Sequence, residues 1–497
     1  MSNKRKAVGV LLTQDASTNQ VWLVERNPAL RFFGGYYAFP GGTIENNGET
    51  NRIKNTTGIP AEELPFIAAA AREIFEETGI FLGHGEQISE EELSLYRREL
   101  ISEDITFDQI MQNTNNEIDA TDFHFIASFL TPEFAPVRYD TLFYWVQVPA
   151  QKKLKILPGE LVDSRLITAN DALTQWRNGK IDIVPPVILM LQKLADSNVL
   201  QATNEIFEVA QSYRNGALHQ IYFTPGVQMA PLKTRTLPPA NHTNAYIVGE
   251  EKLYLIDPGP TDKKEQQRLW NFLDARISEG RKLQGILLTH HHGDHIGALA
   301  ACQKRYDLPI FAHQETIRRI PELTFESPLV DGDQFYLGNA PDGKPDWQLL
   351  VYYTPGHARG HLTFVENRYG AILSGDLVSA LSTMIISPPE GRLADYLQSL
   401  TRLLALPAAT LYPGHGPAVN DSRKILKRFI EHREEREQKL LAALSETPQS
   451  IAELVEKVYD DTDKTLWGLA EHSLHAGLLK LIEEKKSIEA GGGFSLS

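Results

Sequence analysis

The residues best equipped for chemistry sit in one short stretch, T-H-H-H-G-D-H-I-G, from Thr289 to Gly297, directly after an apolar run. Within it His290, His292, Asp294 and His295 are spaced H-x-H-x-D-H, and His357 in TPGH, Asp376 in SGD and His415 in PGHG follow. Neutral imidazoles and carboxylates suit zinc or a similar first-row ion, and one carboxylate can bridge two ions about 3.5–4 Å apart. Alternate residues of an extended loop point in different directions, so one short segment can supply two ions. A chain with 15 histidines produces an H-x-H by chance. A loop motif followed by three further partners at strand ends asks for a common purpose. His291 lies inside the motif but between its regularly spaced members, and His361 follows His357 by one helical turn.

A second pattern, R-E-I-F-E-E-T-G-I, runs from Arg72 to Ile80. On a helix Glu73, Glu76 and Glu77 stand at i, i+3 and i+4, so their carboxylates share one face. Like charges so placed weaken an isolated helix. A cation that neutralises them relieves the repulsion, and oxygen ligands favour Mg²⁺ or Mn²⁺. The bland alternative is an exposed acidic helix paired with Arg72.

The elements that must position these groups follow from pattern and punctuation. The runs AVGVLL and VWLVER within 7–26 read as two strands around a turn. A Gly/Pro-rich segment, FFGGYYAFPGG, leads to an amphipathic helix over 61–77 that stops at Gly79. Residues 86–119 are polar and acidic and read as a helical or loop insertion; strands are expected at 124–130 and 142–148, and a helix over 187–195 behind Pro185 and Pro186. Prolines crowd 217–239 and mark a domain boundary. Beyond it 245–256 reads as a hairpin ending in Asp257-Pro258-Gly259, and GILLTH, AILSGD and ATLYPGH are apolar strands ending in Asp or His. Strand ends that feed polar residues into loops are the usual address of an α/β active site. A charged helix from about Arg423, two short helical segments and the terminal GGGFSLS suggest helices followed by a wing-like hairpin.

Composition bounds the alternatives. A chain of 497 residues implies roughly three domains. The net charge of −15 has the wrong sign for a surface that binds nucleic acid all over. The single cysteine, Cys302, excludes an intramolecular disulfide framework and a cysteine-rich zinc module. The apolar run after Lys4, Arg5 and Lys6 is too short for a secretory signal or a bilayer span, so a cytoplasmic protein with no membrane partner is expected.

The histidine region resembles the metallo-β-lactamase superfamily. That resemblance implies an αββα sandwich in which His290, His292 and His357 hold one zinc ion, Asp294, His295 and His415 a second, and Asp376 bridges them. It implies hydrolysis by a metal-held hydroxide, with Asp294 in the catalytic set, and a position outside the ligand set for His291. PGHGP with the charged helix and tail looks like the lactamase-β-like-2 group, which carries a winged helix and includes a single-strand endoribonuclease; glyoxalase II enzymes share most of the ligands. The REIFEETGI core behind FPGG resembles the Nudix box, with a longer spacing from Gly42 to Arg72 than the family has. The early glutamate of that box is left open between Glu49, Glu62, Glu63 and none of them. The insertion, the 131–144 stretch and the Pro-Pro helix look like the coenzyme A diphosphatase branch. By that resemblance Glu73, Glu76 and Glu77 hold Mg²⁺ or Mn²⁺, with Glu76 and Glu77 catalytic, the Gly42 carbonyl an added ligand and Glu160 a candidate base. Arg138 and Tyr139 either grip phosphate or pack.

The expected architecture is therefore α/β multidomain: a Nudix α/β/α sandwich over 1–218, a metallo-β-lactamase sandwich over 219–430 and a small winged helix over 431–497. A small-molecule thioester or diphosphate is the expected substrate, acyl-CoA being both at once, and single-stranded RNA the alternative. Lys424, Lys427, Arg428, Arg433, Arg436 and Lys439 could form a basic stripe for RNA, or a solvated face mixed with the neighbouring acids.

Overall fold

The computed structural model describes residues 4–30, 33–44, 51–135 and 137–497. The chain divides into two compact units, Met1–Phe223 and Thr224–Ser497.

In the first unit the strand Lys4–Thr13 pairs in parallel with Arg138–Gln147, which pairs in turn with His124–Leu130. A second sheet runs Asp182–Ile183, Tyr36–Ala38, Gln20–Arg26, Leu161–Thr168. Side chains alternate across a strand. Val8, Val10 and Leu12 accordingly enter one core with helix Leu64–Thr78, whereas Leu11 enters another with helices Ala169–Arg177, Pro185–Ala195 and Val199–Arg214. Helices thus cover both faces. The glutamate helix starts at Leu64 rather than 61, because Pro65 takes one of its first two positions, where the missing N–H costs nothing. It ends where Gly79 turns left-handed at φ 76°. The acidic insertion holds helices Glu90–Ile101 and Phe107–Asn113, each opened by a capping box. Helix Val199–Arg214 has no counterpart in the sequence reading; its apolar stripe of Val199, Ala202, Ile206 and Ala210 is only one residue wide.

In the second unit one sheet runs in order through Val227–Lys233, His242–Val248, Lys252–Ile256, Lys282–Leu287, Ile310–His313 and Ser327–Leu329. The other runs Gln334–Gly338, Trp347–Tyr353, Leu362–Glu366, Ile372–Gly375, Leu411–Pro413. Their inner faces meet through aromatic edges: Phe335 lies 5.1 Å from both Tyr254 and Phe311, and Tyr246 lies 5.6 Å from Tyr412. Helices Leu393–Leu404 and Ser422–Ala443 pack Leu400, Leu403, Leu426 and Phe429 against Ile372 and Leu411 of the second sheet. Helix Ser422–Ala443 then passes into a C-terminal cluster, where Leu440 and Leu444 pack with Leu454, Val458, Leu474, Leu478 and Phe494. The antiparallel pair Ser487–Ala490 and Gly493–Leu496 forms the wing. Among the described residues no helix is long and apolar enough to cross a membrane.

Candidate metal centres

Each strand expected to end in a polar residue delivers it to one place. Lys252–Ile256 ends at Asp257, Lys282–Leu287 leads to His290, Ile372–Gly375 to Asp376 and Leu411–Pro413 to His415. His290 Nε2 and His357 Nε2 each lie 3.0 Å from His292 Nδ1, and Asp376 Oδ2 stands 4.0 and 3.6 Å from the first two. Asp376 Oδ1 faces the other way, 3.3 Å from His295 Nε2 and 3.4 Å from His415 Nε2. Asp294 Oδ2 completes that second group, 3.4 Å from His415 Nε2 and 3.9 Å from His295 Nε2. The two oxygens of Asp376 thus divide the six other side chains into two sets of three.

The donors fit a cation. Among the described residues, His295 Nε2 and Asp376 Oδ1 are buried and have no hydrogen-bond partner, a loss of about 1–3 kcal/mol apiece unless something else compensates. Burial, reinforced by neighbouring imidazoles, holds His290 well below its ordinary pKa and His357 down at about 4, so both keep neutral, lone-pair-bearing rings. Burial alone would raise Asp376, but His415 and His295 outweigh it and hold the carboxyl well below its usual range. The same carboxylates overcome burial at His295 and push its pKa up.

The far nitrogens fix the rings. His357 Nδ1 donates to the Ile385 carbonyl at 3.0 Å and His415 Nδ1 to the His242 carbonyl at 2.8 Å. His295 Nδ1 lies 2.8 Å from Asp257 Oδ2, and Asp257 Oδ1 accepts the Thr289 amide at 2.8 Å. Asp257 is the residue that sequence reasoning missed: it adopts a left-handed φ of 49° and forms a further donor group with His290 and His295. Its signal is present, since DPG ends a strand just as SGD does, but the sequence shows it only as the end of a hairpin. Thr243 donates to Asp294 Oδ2 at 3.2 Å. His361 uses both nitrogens structurally, Nε2 accepting the Asp376 amide at 3.2 Å and Nδ1 facing the Thr354 hydroxyl at 3.0 Å. His291 stands outside the converging groups, held down to about 4 by burial. Gly414 admits no side chain, because a Cβ there would lie 2.3 Å from Asp376 Oδ1.

In the first unit the long spacing between FPGG and the glutamate helix does not part them. A Cβ on Gly42 would meet Glu73 Oε1 at 2.2 Å, and the Gly41 amide donates to Glu77 Oε2 at 2.8 Å. Arg72 Nη2 donates to the Thr43 carbonyl at 2.9 Å and lies 3.1 Å from Glu73, while Nη1 reaches Glu76 at 2.9 Å. Burial, then the charge of Glu73, raises the Glu77 pKa well above its ordinary value, and the charge of Glu160 adds to this. The convergent donor groups found among the described residues all lie in the histidine centre, and none includes these glutamates. The Gly42 carbonyl accepts the Val8 amide at 2.9 Å. Glu63 caps the N-terminus of the helix and Glu62 is exposed on the turn before it; Glu49 lies outside the described residues. Arg138 Nε donates to the Thr131 carbonyl at 2.9 Å and the Tyr139 amide to the Thr131 hydroxyl at 3.0 Å, so both residues close the base of the 131–139 turn.

The basic stripe is divided by its surroundings. Arg433 is buried and donates to the Met384 carbonyl, Arg436 pairs with Asp461 at 2.8 Å, and Lys439 pairs with Asp460 and Asp461 at 3.1 and 2.8 Å. Lys424, Lys427 and Arg428 stay exposed on the first turns of helix Ser422–Ala443.

Residues 3–186 match the family model of the NUDIX domain, 238–415 that of the metallo-beta-lactamase superfamily, and 450–493 that of the beta-lactamase associated winged helix domain. The chain is therefore a hydrolase carrying a NUDIX domain, a metallo-β-lactamase domain and a winged helix. It is similar to the Beta-lactamase-like protein 2 homolog of Drosophila melanogaster, 27% identical over 49% of this chain and 83% of the relative. It is also similar to the lactamase-like protein adaB of Aspergillus niger, 32% identical over 41% of this chain and 58% of that protein. A third relative, the atrochrysone carboxyl ACP thioesterase of Aspergillus fumigatus, is 29% identical over 41% of this chain and 59% of its own length. The chain thus spans less than two thirds of the two fungal proteins.

Proposed function

We propose that this chain is a two-site metallohydrolase, with a Nudix-type site in residues 1–218, a dinuclear site in 219–430 and a winged helix in 431–497. The observation that carries the reading is the division of Asp376 between two donor sets. In this reading His290, His292 and His357 hold one zinc ion, Asp294, His295 and His415 the other, and Asp376 joins them. Two bound cations lower the pKa of water enough to give a nucleophile near neutral pH. The chain's own part is to keep the His290 and His357 imidazoles neutral, to aim His357, His415 and His295 through the Ile385 carbonyl, the His242 carbonyl and Asp257, and to hold Asp294 by the Thr243 hydroxyl. In the Nudix-type site Glu73, Glu76 and Glu77 would hold Mg²⁺ or Mn²⁺. Glu77, its pKa raised by burial, is the carboxyl best poised to take a proton from water, beside Glu160.

The substrate class is a thioester or diphosphate of the acyl-CoA kind. Two hydrolase domains suit a molecule holding both bonds, and one relative is named a thioesterase. Incubation with acyl-CoA and Zn²⁺ or Mg²⁺ should release free thiol and adenosine 3′,5′-bisphosphate; release of neither refutes this substrate. The exposed Lys424, Lys427 and Arg428 support a second reading, cleavage of single-stranded RNA. It expects a short labelled RNA to be cut by the wild type and spared by Asp294→Ala.

A further inference from the structure

We propose that the winged helix positions His357, and that helix Trp467–Glu483 is thereby a working part of the dinuclear centre. The inference rests on the reading of His357 as a metal ligand. Its imidazole is oriented by the Ile385 carbonyl, 3.0 Å from Nδ1. The residues flanking Ile385 are held in part from the C-terminal side. The Ile386 amide donates to the Ser473 hydroxyl at 3.3 Å, the Ser387 hydroxyl lies 3.0 Å from His472 Nδ1, and the buried Arg433 donates to the Met384 carbonyl. Ala476 of the same helix packs in one cluster with Met384, Ile386, Leu393 and Tyr396.

A second route reaches the other side of the ligand. The Arg392 amide donates to the Gly356 carbonyl at 2.8 Å, one residue before His357. The Arg392 guanidinium is gripped two-pronged by Glu483, at 3.1 and 2.8 Å, at the last turn of helix Trp467–Glu483. A fork of this kind fixes orientation as well as distance. Gly356 is pressed so closely on helix Leu393–Leu404 that a Cβ would lie 2.3 Å from Tyr396 Cα. His357 is thus set between two segments, and helix Trp467–Glu483 reaches both.

Among the described residues no hydrogen bond joins this helix to His290, His295 or His415. His295 is aimed by Asp257, His290 stands 2.9 Å from the Thr289 hydroxyl, and His415 is held by the His242 carbonyl. Loosening the helix should therefore loosen one of the two sites and spare the other. The face of helix Trp467–Glu483 that carries His472, Ser473, Ala476 and Glu483 is committed to the sandwich. A winged helix that uses this face within its own chain does not offer it to nucleic acid.

The test uses the full chain with His472→Ala, Ser473→Ala and Glu483→Ala combined, beside Ser473→Thr with Glu483→Asp as the conservative pair. In metal-free protein, amide exchange should quicken at 355–358 and 384–392 and stay unchanged at 289–297. In a Co²⁺ titration followed by visible absorption, the triple variant should bind one of two ions about tenfold more weakly and the other as wild type does. The conservative pair should restore the wild-type spectrum. Unchanged exchange at both segments, or equal weakening of both ions, overturns the proposal. Wild type that takes up no Co²⁺ refutes the ligand reading instead, and the exchange arm then decides the positioning role by itself.

Discussion

At the scale of single residues, the centre depends on where hydrogen-bonding capacity is spent. Asp257 gives Oδ2 to His295 and to the Thr289 hydroxyl, and Oδ1 to the Thr289 amide. An asparagine keeps the shape but turns one acceptor into a donor facing these groups. Asp257→Asn should therefore lower metal affinity or turnover about 10–100-fold, as loss of the partners behind metal ligands generally does. Metal titration with turnover at saturating ion separates the two effects, and wild-type affinity would show His295 to be oriented by other means. Gly414→Ala should be harsher, since its Cβ would stand 2.3 Å from Asp376 Oδ1 and 2.9 Å from His295 Cε1. Metal content should fall toward one ion per chain while the circular dichroism stays native. The convergence of the seven side chains was legible because four share the H-x-H-x-D-H loop and the other three stand in TPGH, SGD and PGHG. The groups behind them were not: a carbonyl such as Ile385 or His242 leaves no mark on residue identity, and Asp257 was hidden in a turn tripeptide.

At the scale of elements, the glutamate helix works because it is buried along one side. Ile74 and Phe75 are fully buried between Glu73 and Glu76 in sequence, so the acidic face is held by its apolar reverse. Ile74→Ala should cost about 2–5 kcal/mol in the unfolding transition of the first unit, read by denaturant titration. A cost below 1 kcal/mol would mean that the helix is secured elsewhere. The connecting helix Ser422–Ala443 carries a pH response. Burial, then Arg433 and Arg436, depress His432 from 6.5 to about 4. The unfolded chain therefore binds a proton here at a pH where the folded one does not. This contribution is intact above about pH 6.5, declines as the pH falls toward 4 and is spent below it. His432→Gln should flatten the pH dependence of the melting temperature across that window; an unaltered profile would assign the response to other groups. Periodicity revealed this helix, yet not which of its cations are engaged, because Asp460 and Asp461 belong to a loop that only folding brings alongside Arg436 and Lys439. Helix Val199–Arg214 escaped for a related reason, its stripe being too thin to stand out from its polar residues.

At the scale of the whole molecule, the chain divides into two compact units, and the convergent donor groups among the described residues lie in the second. The first unit closes at Phe223 and the second opens at Thr224, within the proline-rich stretch whose composition marks a boundary. The Nudix-box spacing misleads at this scale: residues between Gly42 and Arg72 lengthen the sequence, but Gly41 and Gly42 still close on Glu77 and Glu73. If each site acts for itself, Asp376→Asn should cut thiol release from acyl-CoA by roughly a hundredfold or more. It should leave release of adenosine 3′,5′-bisphosphate untouched. Glu77→Gln should do the reverse, because the half-buried carboxyl that accepts the Gly41 amide would lose the charge a Mg²⁺ ion needs. Chelation followed by separate return of Zn²⁺ or Mg²⁺ should reproduce the same division without mutation. Parallel loss of both activities in either variant would mean that a single centre breaks both bonds, and the two-site reading would then give way to one site of broader reach.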